Sequence, residues 1–315
     1  MRYLKKKRII RNYSITINYK IMRNSLTSRL FALLVILIAL SVSANGFSQK
    51  KPKGKLPKGT VKLEYIFPAN KPISYLSTTK VLQTMEVEGQ TFEVNANIEF
   101  GCTVMSSGKQ DGNLKLEIRV DTLYQNQDTP QGSTGGTVRE VQGKVFNMLL
   151  SRSGAEVDLS EAEKITFNLE GSGESNLAQS FVSYFPDLPE KPVKPGNTWI
   201  TNDTVRSKSP SASENIIVQS DNKYLGIEKI DGINCAKITA TLTGTREQKL
   251  QTMGMDIFIK GSFTGTGELF FAVKEGYFIK QVVTTKMNGN IDITGDQNMS
   301  FPMVMDMVST NAIKK

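Results

Sequence analysis

The stretch that decides the fold is VNANIEFGCTV (Val94–Val104), followed by the turn SGKQDGN (Ser107–Asn113) and by LKLEIRVDTLY (Leu114–Tyr124). In both long runs the even-numbered residues are apolar or small, and most odd-numbered residues are polar. Side chains of an extended strand point alternately to its two faces, so this period of two predicts strands with one buried and one wet face. Asp-Gly between two such runs is a hairpin signal. The stretch therefore predicts an antiparallel hairpin.

The same period continues along most of the chain, and polar faces this regular belong to antiparallel sheets with one exposed side. Further strands are predicted at Val61–Phe67, Ile73–Val87, Val145–Leu150, Lys164–Leu169, Ala236–Leu242, Met253–Ile259, Glu268–Val273, Phe278–Ile293 and Met299–Val308. We predict an all-β protein with one or two short helices, built from two related antiparallel curved sheets or half-barrels, and not a doubly wound α/β fold.

One segment has helical spacing. In SGESNLAQSFVSYFPDLP the apolar residues recur every three or four positions, Ser172 can cap the N-terminus and Pro186 ends the run. This predicts a helix over 172–185, with a weaker helical turn at Thr137–Gly143. The proline-rich stretch that follows indicates a boundary between a first β unit (61–190) and a second (191–315). DGNLKLEI (Asp111–Ile118) and DGINCAKI (Asp231–Ile238) are one of several matched pairs that suggest an internal duplication.

The N-terminal region accounts for the positive charge. Residues 1–44 hold nine of the 39 Lys and Arg residues and no acid, and 50–58 hold five more Lys. The remainder, 59–315, has five more acids than bases, so nucleic acid is excluded as a partner. The apolar run in RLFALLVILIALSVSA predicts a cleaved signal peptide over 1–44, with Met22 as an alternative start. An uncleaved membrane anchor is the alternative, although the run is short for a span of about 20 residues.

These features predict export to the periplasm or beyond, with no transmembrane span after cleavage. No Cys follows the apolar run, so there is no lipobox thiol. Residues 45–60, rich in Lys, Pro and Gly, are predicted to form a flexible tether.

The sequence lacks the residues on which several common catalytic sites depend. It contains no histidine, which excludes Ser-His-Asp and Cys-His machinery and most catalytic zinc sites. NGNIDITGDQN (Asn288–Asn298) offers oxygen ligands for calcium but does not match a calcium loop, and a solvated hairpin is the preferred interpretation. We expect no metal, no cofactor and no enzymatic activity; a hydrolase that uses two carboxylates is the remaining enzymatic alternative.

Methionines form a stripe at odd positions, where Val, Ile or aromatic residues would be the usual strand choices. The candidate ligand-binding residues are Met253, Met255, Met287, Met299, Met303, Met305, Met307 and Trp199. Methionine gives a soft apolar surface that suits a lipophilic ligand, but it also fills ordinary sheet cores. Trp199 can cap the end of a core or provide a platform for carbohydrate. Both pairs of alternatives stay open at this point.

Two cysteines, Cys102 and Cys235, remain in the body of the protein. An exported protein can join them in a disulfide. Two buried free thiols are the alternative.

The motifs LEYIFP, GCTV…SGKQDGNLKLEI, EGSGESNLAQSFVSYFPDLPEKPVKPGNTW, DGINCAKI and EGYFIKQ cover nearly all of residues 60–315. In them the chain resembles a family of exported bacterial β proteins, a domain of unknown function of gut Gram-negative species. The resemblance implies export and an all-β fold, and it carries over no catalytic or binding residues. Many members resemble lipoproteins, from which this chain departs by lacking the anchor Cys.

Together these observations favour an exported, non-enzymatic protein that binds an apolar ligand or lipid between its β units. A structural or interaction module that contacts another envelope protein or glycan is the alternative.

Overall fold

The computed structural model describes residues 59–169, 173–208, 212–252, 254–295 and 298–314. Its strands are β1 (Ile73–Val87), β2 (Gln90–Gln110), β3 (Asn113–Thr129), β4 (Gly132–Thr137), β5 (Val145–Leu150), β6 (Glu156–Asp158), β7 (Thr166–Leu169), β8 (Gly173–Asn176), β9 (Thr198–Lys208), β10 (Ala212–Ile230), β11 (Ile233–Thr252), β12 (Met255–Ala272), β13 (Tyr277–Thr294) and β14 (Met299–Ile313). Two short helices, α1 (Ser160–Glu163) and α2 (Leu177–Phe181), complete the described part. The predicted all-β class is confirmed. The predicted signal peptide and all but the last two residues of the tether lie outside the described residues.

Twelve strands form one antiparallel sheet in the order β6-β5-β3-β2-β1-β14-β13-β12-β11-β10-β9, with β4 also paired to β3. Strands β7 and β8 form a separate pair. The first and last long strands, β1 and β14, pair from Tyr75↔Ile313 to Met85↔Met303. This pairing joins the strands of the two predicted units into one continuous sheet.

The hairpin predicted from Val94–Tyr124 is confirmed. β2 and β3 pair up to Gln110↔Asn113 around the Asp111-Gly112 turn, and both turn residues have positive φ, 51° and 85°. Asp231-Gly232 makes the equivalent turn between β10 and β11. Positive φ at both central positions matches the right-handed twist of the flanking strands, and glycine adopts it without steric cost.

Two hydrophobic cores lie on the same, inner face of the sheet, near opposite ends of the long strands. We call the first the aromatic core; its rings are Tyr65, Phe67, Tyr75, Phe100, Phe146, Phe167, Phe181, Tyr184, Phe185, Tyr224, Phe270, Phe271, Tyr277 and Phe278. We call the second the methionine core; it includes Val81, Met85, Val94, Leu250, Ile257, Met287, Ile291, Phe301, Met303 and Met305. Val94 on β2 and Leu250 on β11 belong to the same core although four strands separate theirs. In a flat sheet these strands would lie about 24 Å apart, so the sheet curls around its inner face.

The predicted helix over 172–185 is wrong in extent. Residues Gly173–Asn176 are strand β8, whose backbone pairs with β7, and only Leu177–Phe181 is helical. Asn176 caps this short helix by accepting a hydrogen bond from the Gln179 amide. The chain leaves the helix at Val182, and Ser183 has a positive φ of 57°. Pairing with β7 and the Asn cap outweigh the helical spacing of the apolar side chains.

The segment after α2, residues 182–188, crosses the inner face of the sheet, and we call it the strap. Its Tyr184, Phe185 and Leu188 are buried in the aromatic core. The spacing that predicted a helix therefore reflects burial of an irregular segment.

Two further expectations differ from the structure. Val61–Phe67 is not a strand: apart from a bridge between Val61 and Val193 it runs across the aromatic core. Its backbone bonds go to loops instead, from the Tyr65 amide to the Arg152 carbonyl and from the Ile66 amide to the Gly276 carbonyl. Residues 139–143 are hydrogen-bonded turns and not a helix. In the described ranges, no helix has the length and apolar character needed to cross a membrane.

Candidate ligand-binding cavity

A cavity of about 330 Å³ lies between the aromatic core and the methionine core. The inner face of β1 and β9–β14 forms its wall, and the strap lies across it. Its lining includes Ser77, Thr79, Thr201, Asp203, Ile216, Val218, Ser220, Asn222, Ile238, Ala240, Leu242, Arg246, Phe263, Gly267, Leu269, Gln281, Val283, Thr285, Met287, Met305, Met307, Ser309 and Asn311 from the sheet, with Glu156 and residues 182–187 opposite. The volume is at the small end of the range for sites that bind small molecules.

The cavity exists partly because glycine occupies inner-face positions of β12. A Cβ added at Gly267 would point into the space beside Ala240, whose Cβ would be its nearest neighbour at 3.4 Å. At Gly265 an added Cβ would lie 2.4 Å from the Thr284 carbonyl oxygen. Gly265 is thus required by close backbone approach, whereas the absent side chain of Gly267 leaves open volume.

The side next to the methionine core is apolar. Met287, Met305 and Met307 project here from β13 and β14, with Phe263 from β12. Thioether side chains repack easily around ligands of different shape. This part of the wall suits a hydrocarbon group.

A buried ion pair borders the apolar part. The Arg246 guanidinium donates to the Glu214 carboxylate at 2.7 and 2.8 Å, and to the Gln248 side-chain oxygen at 3.0 Å. Its third nitrogen lies 3.8 Å from the Met305 sulfur. Both charged side chains are less than a tenth exposed. A buried charge is tolerated only when it is paired in this way.

The cavity is also lined by three partly buried carboxyl groups: Glu156 on β6, Asp187 on the strap and Asp203 on β9. Burial raises the pKa of Glu156 to about 8, with a smaller contribution from Asp187. Burial raises the pKa of Asp187 to about 7, with a contribution from Asp203. Burial alone raises the pKa of Asp203 to about 6. Removing a carboxylate from water disfavours its charged form. At neutral pH Glu156 is therefore mostly protonated, Asp187 is near the midpoint of its titration and Asp203 is mostly ionised.

A belt of uncharged hydrogen-bonding groups from β1, β14 and the strap also lines the cavity. Thr79 donates to Ser309 at 3.0 Å, joining β1 to β14. The Tyr184 hydroxyl donates to the Asn311 side-chain oxygen at 3.4 Å and accepts from the Cys102 thiol at 3.3 Å. The two bonds of Tyr184 tie the strap to the sheet at the border of the aromatic core.

The structure divides the predicted methionines among three places. Met287, Met305 and Met307 line the cavity, and Met287 and Met305 belong at the same time to the methionine core. Met303 is buried in the methionine core, and Met255 and Met299 pack against it, partly buried. Met253 lies outside the described residues. The stripe therefore supplies both a core and part of a pocket wall.

Trp199 does not line this cavity. It is partly buried, packs against the aromatic core and lines a second pocket of about 760 Å³ along β9–β13. Its indole nitrogen is buried without a hydrogen-bond partner in the described part of the chain. The two cysteines are buried in the aromatic core as free thiols. Burial raises the pKa of Cys102 to about 12 and that of Cys235 to about 11. We find no cluster of metal-binding side chains within the described ranges.

Sequence reasoning missed the charged residues of the cavity. Arg246 left a signal, because it falls at an even position of β11 between the inner-facing Leu242 and Leu250. Asp203 could have been found in the same way, because it lies two residues before the buried Val205 and so on the same face of β9. Glu156 and Asp187 lie in short or irregular segments where no period applies.

Comparison with known proteins adds little. No protein-family model and no curated protein matches the chain. Among solved structures, an outer membrane channel from Pseudomonas putida F1 aligns with 83% of this chain and 100% of its own, at 9% identity and a TM-score of 0.26. OccK2 (OpdF) of Pseudomonas aeruginosa in complex with glucuronate aligns with 79% of this chain and 100% of its own, at 7% identity and a TM-score of 0.21. With TM-scores this low, neither structure defines the fold or the function of this chain.

Proposed function

We propose that this protein is an exported, non-enzymatic binding protein whose inner-face cavity takes an apolar or amphipathic small molecule. The observation that carries the proposal is the cavity itself, an open volume of about 330 Å³ between two well-packed cores. A sheet stabilised only by its own packing would fill such a space, because interiors pack to crystal-like density. The apolar methionine wall, the hydroxyl and amide belt and the charged groups supply the mixture of contacts typical of ligand sites.

Export is proposed from the leader, since the apolar run with basic flanks precedes the fold. The ligand would then be met in the periplasm or outside the cell. The absence of histidine supports a role in binding and not in catalysis.

Two measurements test this function. Native mass spectrometry of the protein purified from its own envelope should show a co-purified small molecule that organic solvent removes. The emptied protein should then bind the uncharged fluorophore N-phenyl-1-naphthylamine at one site. Absence of both the co-purified molecule and the fluorophore signal would overturn the proposal.

A second candidate, an interaction module, is favoured by a different observation. Strand β9 is an outermost strand of the sheet, with β10 as its neighbour, and it is eleven residues long. Its Ile200 is 59% exposed. Exposed edges of this kind can accept a strand from another protein. Stoichiometric capture of one envelope protein by the wild type, lost in Ile200→Lys, would favour this function; capture of none would exclude it.

A further inference from the structure

The strap is anchored firmly along one of its sides. The Leu188 amide donates to the Ser153 carbonyl at 2.7 Å, and the Tyr65 hydroxyl donates to the Pro186 carbonyl at 2.9 Å. The Phe185 amide donates to the Glu156 carboxyl group at 3.4 Å. These bonds hold the strap to the β5–β6 side of the molecule.

Toward β9 the strap is held differently. Val182 packs against a small cluster of Val205, Ile216 and Val218. In the described ranges, no backbone hydrogen bond joins the strap to β9. Asp187 of the strap and Asp203 of β9 both line the cavity here, and the two are groups of the same charge type. This border of the cavity is therefore the one that can separate without breaking backbone hydrogen bonds.

Among the residues that the structure describes, no Lys or Arg forms a salt bridge with the acids at this border. The groups that act electrostatically on one another are Glu156, Asp187, Asp203 and the buried Tyr65 hydroxyl. Within the described ranges, none of the three carboxyl groups forms a salt bridge, and the Oδ1 atom of Asp203 is buried without a hydrogen-bond partner. Arg246, on the same cavity wall, is paired with Glu214. Ionisation would thus place two or three unpaired negative charges in a partly buried cavity. Burying unpaired charge is unfavourable in free energy unless water enters.

We propose that the strap is a proton-controlled cover of the cavity, closed on β9 while these carboxyl groups are protonated and released from β9 when they ionise. The inference rests on the proposed function, because it assigns a regulation to that same cavity. Ionised Asp187 and Asp203 repel each other and recruit water, so this border of the cavity opens while Pro186 and Leu188, on either side of Asp187, stay anchored to Tyr65 and Ser153.

The direction of the pH dependence follows from the carboxyl groups. Their raised pKa values, about 6, 7 and 8, mean that the closed form holds its protons until the pH approaches neutrality. A rise in pH from about 5.5 to about 8 therefore favours the open form. Histidine cannot account for a change over this range, because the chain has none.

The test is the association rate of N-phenyl-1-naphthylamine with the full chain, measured by stopped flow at about pH 5.5 and about pH 8. We expect the rate to rise about tenfold, the factor that corresponds to one pKa unit. In Asp187→Asn/Asp203→Asn the rise should shrink to less than about twofold, because neither group can ionise. Asp306→Asn, which removes an exposed carboxylate from the outer face of β14, should keep the full rise. Equal rates at the two pH values in the wild type, or a full rise in the double variant, would overturn the inference.

A second readout separates failure of the cover from failure of the proposed function. Trp199 is the single tryptophan, and the pocket that it lines shares Asn222, Ala240 and Gly267 with the cavity. Its quenching by neutral acrylamide therefore reports on opening along β9 without any ligand. We expect quenching to increase with pH in the wild type and to stay constant in Asp203→Asn, a single change that also serves if the double variant does not fold. A pH-dependent quenching without fluorophore binding would overturn the proposed function alone. Fluorophore binding with quenching that ignores pH would overturn the cover alone.

Discussion

At the scale of single residues, the empty volume beside Gly267 is the most direct handle on the site. Its φ lies outside the left-handed region, and a Cβ there meets Ala240 at ordinary contact distance. Gly267→Leu should therefore fold and fill part of the cavity. We expect the affinity for N-phenyl-1-naphthylamine to fall at least about tenfold, equivalent to about 1.4 kcal/mol.

Thr264→Leu is the control for this change, since it places the same leucine side chain on the exposed outer face of β12. Its affinity should equal that of the wild type. Equal losses in both variants would mean that bulk on β12 acts through folding and not through the cavity.

The Arg246–Glu214 pair makes a second prediction at this scale. Glu214→Leu leaves a nearly buried guanidinium without its carboxylate, and breaking a buried pair in this way costs about 3–5 kcal/mol. The double change Glu214→Leu/Arg246→Met removes both charges and should recover most of that stability. Urea unfolding of the three proteins checks this. A double variant no more stable than Glu214→Leu would show that the pair does not act as a unit.

At the scale of elements, one face of strand β14 contributes both to the methionine core and to the wall of the cavity. Met303 is 2% exposed in the methionine core, whereas Met307, four residues on, lines the cavity. Met303→Ala should lower the free energy of unfolding by about 2–5 kcal/mol, because it leaves a void in a packed region. Met307→Ala should cost less stability and weaken fluorophore binding more. Chemical denaturation and fluorophore titration of both variants distinguish these effects, and identical behaviour would contradict the division.

The elements also show where sequence reasoning succeeds. The β2–β3 hairpin could be predicted because its alternation is local and its turn residues need positive φ, as Asp111 and Gly112 have. The path of the strap could not be predicted, because Phe181 of α2 and Tyr184 and Phe185 of the strap satisfy a helical spacing while their burial is decided by strands far away in sequence. Val61–Phe67 alternates correctly, yet its backbone finds partners in loops and not in the sheet.

At the scale of the whole molecule, the three cavity acids link stability to pH. Their folded pKa values lie above the ordinary ones, so the folded protein keeps protons that the unfolded chain releases. The stability that they contribute is complete below about pH 4 and is lost as the pH rises toward about 8. We expect the free energy of unfolding to fall by several kcal/mol between about pH 5 and about pH 8.

Urea unfolding at constant ionic strength measures this fall. Glu156→Gln should reduce it, because the group with the highest of the three raised pKa values is then uncharged at every pH. Asp306→Asn should leave it unchanged. A wild-type protein that gains stability over this range would contradict the assignment of these groups.

The whole molecule likewise explains why only half of the site was within reach of the sequence. Periodicity predicted methionines on one face, and three of them, Met287, Met305 and Met307, do line the cavity. The carboxyl cluster joins positions 156, 187 and 203 through the path of the strap. No local pattern encodes such a meeting, since it depends on how the sheet curls.

The pairing of the first long strand, β1, with the last, β14, also constrains the order in which the sheet can form. β1 remains without one neighbour until β14 arrives, more than two hundred residues later in the chain. Contacts between such distant positions form slowly because a long loop must close first. The nascent protein therefore cannot complete its sheet until β14 has been synthesised, although local hairpins such as β2–β3 can pair before then.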